Sequence, residues 1–245
     1  MRTLVTGASR GLGRAIALRL AADGHEVFVH YNSSEEDAKR VLEEIVRGGG
    51  RGALVRFDVT SEEAVSSALA PLTAERGPVE AVVNNAGVTA NGYMAMLSAE
   101  GWRRVLSVNL DGFFFVTRAC LKGMLAERRG RIVNVVSLAG ERGNVGQVAY
   151  ATSKAGLIGA TKALALELAR WNVLVNAVSP GLIDTPLFAA MPTAQKEAMF
   201  QGFAAAAPVR RVGRPEEVAQ TVLYLMTNTF TTRSTLYVDG GYLLR

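Results

Sequence analysis

Residues that build metal sites and disulfide frameworks are scarce in this chain: one cysteine, Cys120, and two histidines stand among 245 residues. A single thiol excludes an intrachain disulfide and fits a reducing compartment, so a cytoplasmic location is expected. So few histidines and cysteines leave no basis for a structural zinc site, and no metal is expected. Cys120 stands in an apolar helical stretch with no histidine near it, which reads as a buried, inert thiol. Long hydrophobic runs are missing too: nothing approaches the ~18 apolar residues of a membrane span. The start, Met1 to Gly7, enters a short strand without the apolar core and cleavage site of a secretory leader. Aromatic residues make up only 7%, and the net charge of +5 is dispersed, so the dense basic stripe of a nucleic-acid binder is absent. The mild excess suits an anionic cofactor or an acidic partner. No Pro/Ser-rich linker, charge block or repeat divides the chain, and a composition 49% hydrophobic and 20% charged can bury a full core. One domain spanning residues 1–245 is expected.

What the chain does have is alternation. Apolar runs of strand length recur at Thr3–Thr6, Val27–Tyr31, Ala53–Phe57, Ala81–Asn84, Ile132–Ser137, Val173–Ser179 and Leu236–Val238. Most are rich in valine with little polar alternation, which marks strands buried on both faces of a parallel sheet. Between them lie helical segments at Leu12–Ala22, Ser34–Arg47, Ser61–Glu75, Ser98–Glu127, Val148–Ala169 and Pro215–Met226, with Ser61 and Ser98 placed as caps. The pattern predicts an α/β fold: a doubly wound, Rossmann-type parallel sheet of about seven strands, in the order 3-2-1-4-5-6-7, with helices on both faces.

Chemistry is concentrated at a few points. Tyr150 and Lys154 are four residues apart in a helical segment, so phenol and ammonium share a face. A neighbouring cation favours phenolate and lowers a tyrosine pKa from its ordinary value of about 10. Thr6-Gly7-Ala8-Ser9-Arg10-Gly11-Leu12-Gly13 follows the first strand and opens the first helix. Its glycines permit a tight turn and close approach, and the helix start offers N–H groups to a pyrophosphate. An acid that would grip a ribose 2′-hydroxyl is expected near the end of strand two, but Tyr31-Asn32-Ser33 has none, and Arg10 is available for a 2′-phosphate. NADP is therefore the expected cofactor.

Together these residues resemble the short-chain dehydrogenase/reductase family over essentially the whole chain. The resemblance rests on Thr6-Gly7-x-x-x-Gly11-x-Gly13, Asn84-Asn85-Ala86-Gly87, Asn109, Ser137, Tyr150-x-x-x-Lys154 and Pro180-Gly181. Gly143 to Tyr150, Ala155 to Gly159 and Asp239-Gly240-Gly241 are similar to the bacterial 3-oxoacyl-[acyl-carrier-protein] reductase branch. The resemblance implies that Tyr150 donates a proton to the substrate carbonyl oxygen, Ser137 orients that oxygen, and Lys154 holds the nicotinamide ribose and depresses the tyrosine pKa. It implies that Asn109 anchors a water linking Lys154 to solvent. Asp58 and Val59 resemble adenine contacts, Asn85 the residue beside the adenosine ribose, and Ile183 the contact to the nicotinamide amide. Gly7, Ser9, Arg10, Gly11, Leu12, Gly13, Asn32, Ser33, Ala86, Gly87, Pro180, Gly181 and Thr185 complete the implied cofactor contacts. Each also has a plain structural role open to it: Ser137 as a strand-end cap, Asn109 as a polar helix residue, Asn84 and Asn85 as partners for backbone groups.

Two departures bear on the substrate. Val88 to Met94 lacks the Arg-Asp pair usual in that branch, and Ala149 replaces an asparagine before the tyrosine. The leading expectation is NADPH-dependent reduction of a 3-oxoacyl thioester on acyl carrier protein, by a homotetramer. Reduction or oxidation of another ketone or alcohol, such as a sugar or polyketide, is the second reading, and a silent NADPH sensor the third. An apolar substrate lid is expected over residues 185–208, carrying Phe188, Met191, Met199, Phe200 and Phe203. Arg128, Arg129, Arg131 and Arg170 are the candidate docking surface for an acidic carrier.

Overall fold

Seven Val-rich runs become seven strands in the computed structural model, which describes residues 1–189 and 191–243, with the side chain of Leu187 also outside the description. They are β1 (Arg2–Val5), β2 (Glu26–Tyr31), β3 (Arg51–Arg56), β4 (Ala81–Asn84), β5 (Gly130–Val135), β6 (Val173–Pro180) and β7 (Thr235–Val238). All pairings are parallel, in the order β3-β2-β1-β4-β5-β6-β7, as the alternation predicted. The helices are α1 (Gly11–Ala22), α2 (Glu35–Arg47), α3 (Glu62–Arg76), α4 (Ala99–Leu106), α5 (Gly112–Ala126), α6 (Ala139–Arg142), α7 (Val148–Leu168), α8 (Thr193–Ala206) and α9 (Pro215–Thr227).

Strand side chains alternate between two cores because successive Cβ atoms point to opposite faces. Val5, Val27, Val29, Val83 and Val133 pack with α1, α2 and α9. Leu4, Phe28, Val82 and Ile132 pack on the other face with α3, α5 and the end of α7. In α2 the buried residues Ala38, Val41 and Ile45 follow helical spacing, and Glu35, Glu36 and Asp37 occupy the first turn, where the helix dipole favours negative charge. Ser61 and Ser98 cap as expected, accepting N–H bonds from Ala64 at 3.1 Å and Gly101 at 3.0 Å. Asn84 pairs with side chains rather than backbone: Nδ2 donates to Asn134 Oδ1 at 2.9 Å and Thr117 Oγ1 at 3.0 Å. Asn134 in turn donates to Thr161 at 2.8 Å, so a polar seam crosses the central strands from α5 to α7.

Three elements differ from expectation. The helix expected over Ser98–Glu127 is broken by a π-helical turn at Ser107–Asp111, which carries Asn109; such turns concentrate at functional sites. The strand expected to end at Ser137 stops at Val135, which frees Ser137 from the ladder. Over the expected lid a short 3₁₀ turn, Pro186–Phe188, precedes α8, while Ala190 lies outside the described residues. Among the described residues no helix is long and apolar enough to cross a membrane. The order of strands reverses between β1 and β4, and ligands of open α/β sheets bind at the carboxyl ends beside such a switch.

Candidate active site

The glycine turn leaves β1 at that switch. Gly7 and Gly11 have φ of +64° and +56°, a backbone region that a side chain would strain. Thr6 Oγ1 accepts the N–H groups of Asn85 at 3.0 Å and Ala86 at 2.9 Å. Asn85 Nδ2 donates back to the carbonyls of Thr6 at 2.8 Å and Gly7 at 3.2 Å. The amide nitrogen of Asn85 is thus committed to the shape of the turn. The start of α1 has neither a side-chain cap nor an acid in its first turn, unlike serine-capped α3 and α4. Uncapped N–H groups, a positive helix end and exposed Arg10 fit a bound anion. A cleft of about 360 Å³ lies on the outer flank of this turn, with Ser9, Arg10, Arg14 and Arg40 among its walls.

The remaining candidate cofactor residues ring the same end of the sheet. Asn32 and Ser33 are exposed after β2. Arg56 donates from Nε to the Asn32 carbonyl at 3.2 Å, bringing a second guanidinium to this rim. Asp58 holds its own loop by accepting from the Thr60 N–H at 2.9 Å and hydroxyl at 2.8 Å, and buried Val59 packs where a Cβ on Gly112 would stand 2.9 Å away. Pro180 ends β6, the Gly181 N–H donates to Val238 at 3.0 Å, and buried Ile183 bridges to Gly213. Thr185 lies against Gly11, 3.8 Å from the position of a Cβ there, so the foot of the α8 segment meets the glycine turn.

Tyr150 and Lys154 project from one side of α7, with Lys154 Nζ 5.6 Å from the Tyr150 ring centroid. Lys154 is buried, donates to the Val135 carbonyl at 2.7 Å, and is pulled down to about 8 by that burial. Ser137, just past β5, lies near enough to the Tyr150 phenol to lower its pKa, and its hydroxyl accepts the Ala139 N–H at 3.2 Å. Burial raises the phenol above its ordinary value, and the nearby Ser137 hydroxyl only opposes it. This corrects the expectation that Lys154 depresses the tyrosine: its ammonium is turned to the Val135 carbonyl, and desolvation prevails. Asn109 accepts the Val88 N–H at 2.9 Å and donates to the Val88 carbonyl at 3.0 Å and Ser153 Oγ at 2.9 Å. Gly87 lies between, since a Cβ there would be 3.2 Å from Asn109 Oδ1 and 3.6 Å from Lys154 Nζ. The structure therefore brings Gly87, Asn109, Ser137, Tyr150 and Lys154 into one cluster. Among the described residues no group of three or more His, Cys, Asp or Glu side chains is placed to hold a metal ion.

A sequence profile of the family described as enoyl-(acyl carrier protein) reductase matches residues 7–243. The 3-oxoacyl-[acyl-carrier-protein] reductase of Aquifex aeolicus is 44% identical over 242 residues, covering 98% of this chain and 96% of that protein. The chain belongs to the short-chain dehydrogenase/reductase family. The similarly described reductase of Synechocystis is 40% identical over 244 residues, covering 98% of this chain and 96% of that one. Among solved structures, a protein assigned as a gluconate dehydrogenase from Agrobacterium tumefaciens superimposes with a TM-score of 0.94 at 32% identity, over 99% of this chain and 95% of the other.

Residues of this dehydrogenase/reductase chain that the sequence reading passed over also shape the site. A Cβ on Gly140 would fall 2.7 Å from the Ala155 backbone nitrogen and 2.9 Å from Lys154 Cβ, so glycine lets the loop carrying Ser137 seat directly on α7. Its signal was a lone glycine three residues after Ser137, too common to single out. Cys120 is buried and its thiol is pushed up to about 12, consistent with the inert reading. The candidate docking arginines do gather, but at the other pole. Arg128 and Arg170 both lie over Trp171, at 5.0 and 5.3 Å from the ring centroid, and Arg131 is buried at the start of β5. Ser137 lies beyond the opposite end of β5, so these arginines flank the far end of the sheet from this chain's own site.

Proposed function

We propose that the chain reduces a 3-oxoacyl thioester, carried on acyl carrier protein, to the 3-hydroxyacyl form with NADPH. The observation that carries the reading is the Ser137–Tyr150–Lys154 cluster at the mouth of an uncapped glycine turn, in a chain up to 44% identical to reductases named for that reaction. The reduced nicotinamide supplies the hydride. Ser137 orients the ketone oxygen, Tyr150 gives it the phenolic proton, and Lys154 binds the cofactor ribose. Asn109 holds the Val88 backbone and Ser153, fixing the loop that carries Gly87 against α7. The uncapped start of α1 binds the pyrophosphate, with Arg10 and Arg56 toward a 2′-phosphate. The segment 185–208 serves as the lid, with Phe203 stacked on Tyr242 at 4.5 Å and Lys196 paired to Asp184 at 3.0 Å. Exposed Phe114 on α5 and Leu166 on α7 support assembly as a homotetramer through those helices.

A second reading, oxidation of a sugar acid on the same machinery, is favoured by the 32% identity to the gluconate dehydrogenase structure. A silent sensor is disfavoured because binding alone has no use for a proton donor. Purified protein should oxidise NADPH with acetoacetyl thioester and give little turnover with crotonyl thioester or with gluconate and NADP. Turnover with gluconate alone would replace the first reading with the second.

Cofactor choice gives a separate expectation. NADPH should exceed NADH in kcat/KM, because no acid stands at Tyr31-Asn32-Ser33. Asn32→Asp puts a carboxylate where a 2′-phosphate would lie and should shift the preference toward NADH by about tenfold or more, the size of about 1.4 kcal/mol. Equal efficiencies in the unmodified enzyme would show that the rim does not read the phosphate.

A further inference from the structure

His30 is one of two histidines in the chain, it is 2% exposed, and nothing so far gives it a role. It ends neither a strand nor a helix; it is the fifth residue of the six-residue strand β2, which lies between β1 and β3. Its Nδ1 lies 3.0 Å from the Gly7 backbone nitrogen, and its Nε2 lies 3.0 Å from the Phe57 carbonyl oxygen. A carbonyl oxygen can only accept, so Nε2 carries the proton, and Nδ1 is left as the acceptor for the Gly7 N–H. The main-chain carbonyl of His30 also accepts the N–H of Ala8 at 2.9 Å. One residue thus takes up two successive N–H groups of the glycine turn, those of Gly7 and Ala8, and its ring packs tilted against Phe57, 4.0 Å between centroids at 34° between planes. Phe57 directly precedes Asp58 and Val59. The ring therefore ties the turn after β1 to the loop after β3, across the strand between them.

The geometry points to His30 as a positioning residue for the cofactor: by engaging the Gly7 N–H it turns that group inward and fixes which amides of the turn face the pyrophosphate. The inference rests on the dinucleotide reading of the turn. It acts through Gly7 and touches neither the substrate nor the reacting atoms, so its effect belongs in cofactor affinity and not in turnover. Three substitutions separate the contacts. His30→Asn retains an acceptor near the Nδ1 position, His30→Gln retains a donor near the Nε2 position, and His30→Phe retains only the ring. The Gly7 N–H is part-buried, and left without a partner it costs enough to weaken binding roughly ten- to hundredfold.

KM for NADPH should therefore rise roughly ten- to hundredfold in His30→Phe and His30→Gln and stay within about threefold of the parent in His30→Asn, with kcat near the parent value in all three. A ring that merely fills the core gives the opposite order, with His30→Phe best tolerated. On the unmodified protein, a long-range ¹H–¹⁵N correlation of the two histidines should show His30 as the Nε2–H tautomer, which requires no variant to fold. An Nδ1–H tautomer, or His30→Phe binding NADPH at least as tightly as His30→Asn, would overturn the inference while leaving the dinucleotide reading intact. Failure of the unmodified chain to bind NADPH at all would overturn that reading and this inference with it.

Discussion

Replacing Tyr150 with phenylalanine should lower kcat for ketone reduction by about 10²–10⁴-fold, the range in which a positioned general acid contributes. NADPH affinity should be nearly unchanged, because the ring and Lys154 remain. The pH dependence follows from two groups shifted in opposite directions. Burial raises the phenol, so it stays protonated through the neutral range and is ready to donate. Lys154 is lowered to about 8, so its ammonium is present below that pH and is lost above it. The profile of kcat/KM for NADPH, which reports the free enzyme, should be level below about 8 and fall as pH rises further. Alcohol oxidation needs phenolate and should instead increase with pH. Lys154→Met should remove the alkaline fall along with most of the activity. Near-normal turnover of the phenylalanine variant, or an alkaline limb surviving in Lys154→Met, would show that the proton donor or its neighbour has been misassigned.

The strand order and the location of the site were legible because they follow from patterns that few folds share. Val-rich runs separated by helical spacing force a parallel sheet with helices on both faces, and the glycine turn after β1 marks its switch point. The four-residue spacing of Tyr150 and Lys154 alone places both on one side of α7. Less legible were features set by contacts between distant segments. The π turn at Ser107–Asp111 has no signature in local propensity; it is held where Asn109 reaches Val88 and Ser153. The Tyr150 pKa was misjudged in direction because helical spacing gives proximity to Lys154 but not burial, and burial decides the shift. Arg128 and Arg170 share Trp171, but they stand at the end of the sheet away from the site, because proximity to the site depends on which end of β5 a residue occupies. Gly140 and His30 were missed for the same reason, since their partners lie on other elements of the fold.

Gly13→Ala should be the most damaging single methyl group that can be added to the turn. Helix propensity alone argues the other way, since alanine is favoured over glycine by about 0.8–1 kcal/mol inside a helix. Gly13 is the third residue of α1, and its φ is not in the left-handed region, so no backbone strain opposes the change. What opposes it is space: a Cβ would stand 2.2 Å from the Gly7 carbonyl oxygen, 2.6 Å from Asn85 Nδ2 and 2.9 Å from the Gly7 carbonyl carbon. Two of those three atoms are backbone and cannot rotate away, so the turn itself must move. Movement of Gly7 breaks the bond from Asn85 to its carbonyl and the bond from its N–H to His30. Overpacking of this kind costs about 1–3 kcal/mol or more, which exceeds the propensity gain. The variant should melt lower and bind NADPH at least tenfold more weakly, as measured by thermal denaturation and by titration of cofactor fluorescence, with one tenfold step equal to about 1.4 kcal/mol. Gly202→Ala is the control, because Gly202 is exposed on α8 with nothing within 4 Å of a new Cβ. It should leave cofactor affinity unchanged and stabilise its helix by up to about 1 kcal/mol. If Gly13→Ala binds NADPH as tightly as the control does, the close packing of α1 against the turn is not what shapes the phosphate site.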